Sequence, residues 1–157
     1  EYSLMIRSNS GNASSFCSPS MDITSYDKVD FDFYFTAINI EQDEIFYVEY
    51  SDDDGTTWTI AKIFEAGDVE GASDVRGDFD INNSTIFYNK TVTLQSTDYT
   101  FSSNSRFRVR SAASDATDMV YIDNISIKLL VYIYKLLLSI KVSIIVINNC
   151  LIEKFHR

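Results

Sequence analysis

Acidic side chains dominate the reactive chemistry of this 157-residue chain: 23 aspartates and glutamates stand against 13 lysines and arginines and one histidine. That histidine, His156, is the penultimate residue, which argues against a His-dependent catalytic triad or a His-rich zinc site. None of the patterns G-x-S-x-G, G-x-x-x-x-G-K-[ST], G-x-G-x-x-G or H-E-x-x-H occurs. Paired carboxylates are the one catalytic resource the composition supplies, and an acidic chain brings many such pairs together without function. The net charge of −10 argues against nucleic acid as a partner, because phosphate binding needs a surplus of cations.

Two acidic positions have a defined context. Ser51-Asp52-Asp53-Asp54-Gly55-Thr56-Thr57-Trp58 fits the Asp-box pattern S-x-D-x-G-x-T-W at Ser51, Asp53, Gly55, Thr57 and Trp58. This is a hairpin device: Asp53 bonds backbone N–H groups of the turn, Gly55 supplies a positive φ, and Trp58 packs beneath. It appears once, whereas a propeller needs several copies. Asp123 is the second position, since Tyr121, Asp123, Ile125 and Ile127 share one strand parity. If that parity faces inward, a buried carboxylate requires Ca²⁺ or an ion pair. If Ile122 faces inward instead, Asp123 is ordinary surface.

Arg76-Gly77-Asp78 forms an RGD tripeptide in an acidic loop, a spacing that arises readily by chance and lacks the EF-hand pattern. N-glycosylation sequons occur at Asn12, Asn82, Asn83, Asn89 and Asn124, as on a secreted surface. The first four lie in or near loops, whereas Asn124 is expected mid-strand.

The elements that position these residues read as strands. Val29, Phe31, Phe33 and Phe35 alternate with Asp30, Asp32 and Tyr34, and Arg106, Arg108 and Arg110 alternate with Phe107 and Val109. Further strands are expected at 45–51, 57–64, 85–94 and 119–127. Turn-rich stretches separate them at 8–15, 51–56, 66–83, 102–105 and 111–118. No stretch before Leu129 has a helical apolar period, so an all-β antiparallel sandwich or barrel is expected. Asp30 and Asp32 would face away from the core, as would the three arginines. Were those strands neighbours, the charges could pair across them.

The order Leu4-Met5-Ile6-Arg7-Ser8-Asn9-Ser10-Gly11, then Tyr47-Val48-Glu49-Tyr50-Ser51 entering the Asp box, then Arg106 to Arg110, then Val120-Tyr121-Ile122-Asp123-Asn124-Ile125 resembles extracellular jelly-roll modules. These are related to MAM domains, reelin subrepeats and carbohydrate-binding modules. The resemblance spans roughly residues 2–127 and implies an antiparallel two-sheet jelly-roll sandwich. It also implies a non-catalytic recognition module for a glycan or extracellular protein, within a secreted or surface protein. A structural Ca²⁺ held by a carboxylate on the closing strand would map onto Asp123. The disulfide cysteines of MAM domains are absent, with Cys17 alone in the domain.

Residues 1–127 carry 22 acids and 8 bases, a net of −14, and residues 128–157 carry 1 acid and 5 bases, a net of +4. The domain is therefore expected over 1–127, followed by a basic apolar tail over 128–157. Three readings of the tail compete: a membrane span over 129–147, a packed strand or helix, and an extension that is not native to the domain. For a span, thirteen Leu, Ile and Val contribute roughly −6.5 kcal/mol and Lys135 and Lys141 roughly +6, near balance. No signal peptide is visible, and the chain begins at Glu1 inside what reads as a strand, as a processed protein or a fragment would. Cys17 and Cys150 admit only one pairing, which nothing in the sequence decides. The functional expectation is an extracellular recognition module. The alternative is a self-associating building block of a filament or adhesive coat.

Overall fold

The computed structural model describes residues 3–7, 15–67, 77–81 and 84–132, together with the short strand Ile144–Ile145. The chain order is β1 (Leu4–Arg7), β2 (Ser15–Cys17), β3 (Lys28–Ile38), β4 (Ile45–Ser51), β5 (Thr59–Gly67), β6 (Phe79–Asp80), β7 (Tyr88–Gln95), β8 (Arg106–Ser111), β9 (Met119–Leu130) and β10 (Ile144–Ile145). No helix occurs among the described residues.

The strands form two sheets, ordered β1-β9-β3-β7, with β10 also on β9, and β2-β8-β4-β5-β6. All pairings are antiparallel except that of β5 with β6. Apart from the two-residue β6 and β10, every consecutive pair of strands lies in opposite sheets save the β4–β5 hairpin. That order is the doubly wound Greek key of a jelly roll. The fold expected from the sequence is present.

Alternation builds the core. Val29, Phe31, Phe33 and Phe35 of β3 point between the sheets and meet Phe46, Phe64, Phe79 and Phe107. Phe46 and Phe64, facing each other across β4 and β5, stack with centroids 4.8 Å apart. Edge and stacked ring contacts of this kind add about 0.5–1.5 kcal/mol per pair beyond area burial.

Several boundaries differ from the sequence reading. β2 and β6 occupy stretches assigned in part to loops, yet Phe79 in β6 is 3% exposed and packs on Phe35. Their lengths, three and two residues, are too short to show a period. The first β5 residue is Thr59 rather than Thr57, because Asp53 captures the Thr57 backbone N–H. β9 runs three residues past Ile127, burying Leu129. Of the tail, β10 pairs through Ile144 and Ile145 with Lys128 and Ile127. The rest of it beyond Tyr132 lies outside the described residues, as does Cys150. No described helix is long and apolar enough to cross a membrane.

Candidate functional site

The outward-facing side of β8, β4 and β5 collects the unusual chemistry. In β8 the inward residues are Phe107 and Val109, which leaves Arg106, Arg108 and Arg110 outside. In β4, Phe46, Val48 and Tyr50 are inward, so Tyr47 and Glu49 share the outer face. Register sets Glu49 opposite Arg108 and Tyr47 opposite Arg110. On the other side of β4, Glu49 meets Ile60 and Tyr47 meets Ile63, with Ala61 inserted as a bulge.

Glu49 is only 3% exposed although it stands on the outer face. Arg108 Nε donates to Glu49 Oε2 at 2.6 Å, and Arg110 Nη2 to Glu49 Oε1 at 3.2 Å. Burial opposes ionisation of this carboxyl, but hydrogen bonds from Arg110 and Arg108 prevail and hold it below its ordinary range. Both guanidiniums rest on rings: Arg108 lies 4.2 Å from the Trp58 centroid and Arg110 4.6 Å from that of Tyr47. The series Trp58–Arg108–Glu49–Arg110–Tyr47 is thus one continuous contact chain that runs from the hairpin before β5 across β8 and β4. Beside it, Ile60 and Ile63 are 47% and 44% exposed.

Hydrogen bonds within the 51–57 turn hold the chain that leads into Trp58. Asp53 Oδ1 accepts from Thr57 N at 2.8 Å and from Ser51 Oγ at 2.7 Å, and Asp53 Oδ2 accepts from Thr57 Oγ1 at 2.6 Å. These bonds hold the Asp53 carboxyl at about 2. Ser51 Oγ also accepts from Gly55 N at 2.8 Å. Gly55 adopts φ +88°, and a Cβ there would sit 3.1 Å from Trp58 Cζ2, so the turn closes directly onto the indole. Asp54 N bonds Asn104 O, and Arg106 Nε donates to Asp54 Oδ1 at 2.7 Å, tying the hairpin to β8.

The conditional pairing of Asp30 and Asp32 with the arginines does not occur, because the strands belong to opposite sheets. Asp30 instead pairs with Lys28 at 2.8 Å and Asp32 with Lys128 at 2.6 Å. Asp123 points to the outside of β9: Val120 and Ile122 are buried, then the parity changes and Ile125, Ile127 and Leu129 are buried. The change is a bulge opposite Phe33, with Asn124 at φ +50° and its N–H bonded to Asp123 Oδ1 at 2.7 Å. Of the two orientations the sequence leaves open, the structure has Ile122 inward and Asp123 on the outer face. Both parities of the sequence were core parities, on either side of an extra residue. Among the described residues, no three His, Cys, Asp or Glu side chains gather to hold a metal ion.

Asn89 and Asn124 are both exposed, Asn124 because the bulge turns it out. Asn12, Asn82, Asn83 and Arg76 lie outside the described residues. Asp78 of the RGD accepts from Glu65 N at 3.2 Å and pairs with Lys62 at 3.1 Å, so its carboxylate is engaged by β5. Cys17 is exposed on β2, opposite Arg108.

Glu49 and Tyr47 were not singled out from sequence. The available signal was their parity within Tyr47-Val48-Glu49-Tyr50, alternating as Arg108-Val109-Arg110 does, but the pairing of β4 with β8 was needed to use it.

No family model matches the chain, and no curated protein matches it. Among solved structures, it is similar to the CBM22-1 xylan-binding domain of Paenibacillus barcinonensis Xyn10C, at 9% identity and a TM-score of 0.39, covering 83% of this chain and 82% of that one. That likeness is too distant to carry anything about ligand. The class, an all-β two-sheet sandwich, rests on the strand order above.

Proposed function

We propose that the chain is a non-catalytic extracellular recognition module that binds glycan on the outer face of β8, β4 and β5. The observation carrying this reading is the contact chain Trp58–Arg108–Glu49–Arg110–Tyr47. A sugar ring offers hydroxyl edges and C–H faces. This surface offers guanidinium donors immobilised on aromatic supports, flanked by exposed Ile60 and Ile63. Because Glu49 already orders both arginines, little side-chain entropy is lost when a ligand accepts their remaining N–H groups. Nothing in this arrangement forms a nucleophile with a base, which supports binding without turnover.

Glycan arrays followed by calorimetry test it. Tyr47→Ala should weaken binding of an array hit about tenfold with little change in melting temperature. Arg110→Gln should weaken it similarly while lowering the melting temperature, because buried Glu49 loses one of its two partners. Failure to bind any glycan sinks the reading. Performed with Ca²⁺ and with EDTA, the same measurements address a Ca²⁺ at Asp123. Such an ion would raise the melting temperature, and Asp123→Asn would remove the increment.

Exposed Ile60 and Ile63 favour a second reading, in which this face assembles copies into a filament or coat. Light scattering at high concentration separates the two, since a strict monomer excludes assembly through this surface.

A further inference from the structure

A cleft of about 470 Å³ opens at one end of the sandwich, between the β2–β3 connection at 24–27 and the β7–β8 connection at 96–101. Its volume falls in the range of about 300–1,000 Å³ typical of small-molecule sites. Tyr26, Tyr99 and Phe101 supply rings, Asp27 and Asp98 carboxylates, and Thr97 a hydroxyl, and among the described residues no lysine or arginine lines it.

Both walls are fixed. Ser96 N bonds Asp27 O at 2.9 Å, joining the two connections, and Asp27 N bonds Leu130 O at 2.9 Å, tying one of them to β9. The buried Tyr50 hydroxyl donates to Thr100 O at 2.8 Å and meets Ser105 Oγ at 2.7 Å. Tyr50 also makes edge contacts with Tyr99 and Phe101, at centroid separations of 5.7 and 6.2 Å. The rings lining the cleft are therefore set by the core.

We propose that this cleft is a second saccharide site, taking a single neutral or amino-sugar unit at a chain end. Carboxylates and hydroxyls accept and donate to vicinal sugar hydroxyls, and the rings cover C–H faces. The carboxylates of Asp27 and Asp98 repel uronates and sulfated sugars. A short cleft bounded by two connections has room for one terminal unit, where the longer face of β8, β4 and β5 suits a chain interior. The inference rests on the glycan reading of the module but uses different residues.

Backbone amide NMR titrations would test it, with cellotriose, N-acetylchitotriose, lactose, glucosamine and glucuronate as probes. At least one neutral or amino sugar should shift amides of 24–27 and 97–101, and glucuronate should bind at least tenfold more weakly. Asp98→Asn, at an exposed position, should weaken that binding about tenfold, the loss expected for one charge-assisted hydrogen bond. Arg110→Gln should leave it unchanged. Shifts confined to the Trp58–Arg110 face would overturn the cleft and preserve the face. Wild-type affinity in Asp98→Asn, or equal binding of glucuronate, would also overturn the cleft. Silence of both regions toward every probe would remove the glycan reading and the cleft together.

Discussion

The two outer sheet faces carry similar numbers of charges and treat them in opposite ways. On β3, β7 and β9 the carboxylates are locally balanced. Asp30 takes Lys28 and the Thr93 hydroxyl, and Asp32 takes Lys128 and the Thr91 hydroxyl. Lys128 stays 45% exposed while Asp32 is 17% exposed, so water reaches this pairing from the lysine side. On β4 and β8 one carboxylate serves two arginines and is buried beneath them. On the first face each carboxylate has its own lysine, and water reaches those pairs more readily than Glu49, so they contribute less. The second has removed a charge from water and depends on its partners.

The sharpest way to break that contrast is to remove Glu49. Glu49→Ala leaves two guanidiniums facing each other without their anion and should destabilise by about 3–5 kcal/mol, read from urea unfolding. A loss below about 1 kcal/mol would show that the two faces are equivalent.

Acid titration extends the test. Glu49 and Asp53 both have depressed folded values. Their stabilisation is therefore complete above the ordinary carboxylate range, and is lost as pH falls through their folded values, toward about 2 for Asp53. Melting temperature should hold from pH 7 to about 5 and then fall, and Glu49→Gln should flatten part of that fall. Asp118, raised by burial, works in the opposite sense.

A smaller effect is expected at the hairpin. Gly55→Ala forces a side chain to φ +88° and against Trp58, costing about 1–2 kcal/mol by thermal unfolding. It should also shift Trp58 fluorescence, because the indole supports Arg108. The smallest effect belongs to the other face: Asp32→Ala should cost under about 1 kcal/mol despite its 2.6 Å ion pair.

Much of this was legible in the chain. The Asp box announced its own geometry because all its bonds span four residues or fewer. The alternation in Val29 to Phe35 and Arg106 to Arg110 marked the inward and outward residues of β3 and β8 for the same local reason. Asp123 shows where such reading stops. A period-two pattern assigns one face to a whole strand, and a bulge reverses the assignment midway through a run that is apolar on both parities.

The sequence by itself determined that the chain is all-β, which side chains of most strands point inward, and how the 51–58 hairpin turns. These follow from backbone pleat and from hydrogen bonds between near neighbours. Tertiary structure decided which strands are adjacent. It sent Asp30 and Asp32 to lysines rather than arginines, gave Glu49 two guanidiniums from residues 59 and 61 positions away, and drew residues 24–27 and 96–101 around one cleft. Sheet pairing across the jelly roll joins distant segments through a common core, so no local pattern encodes those partners.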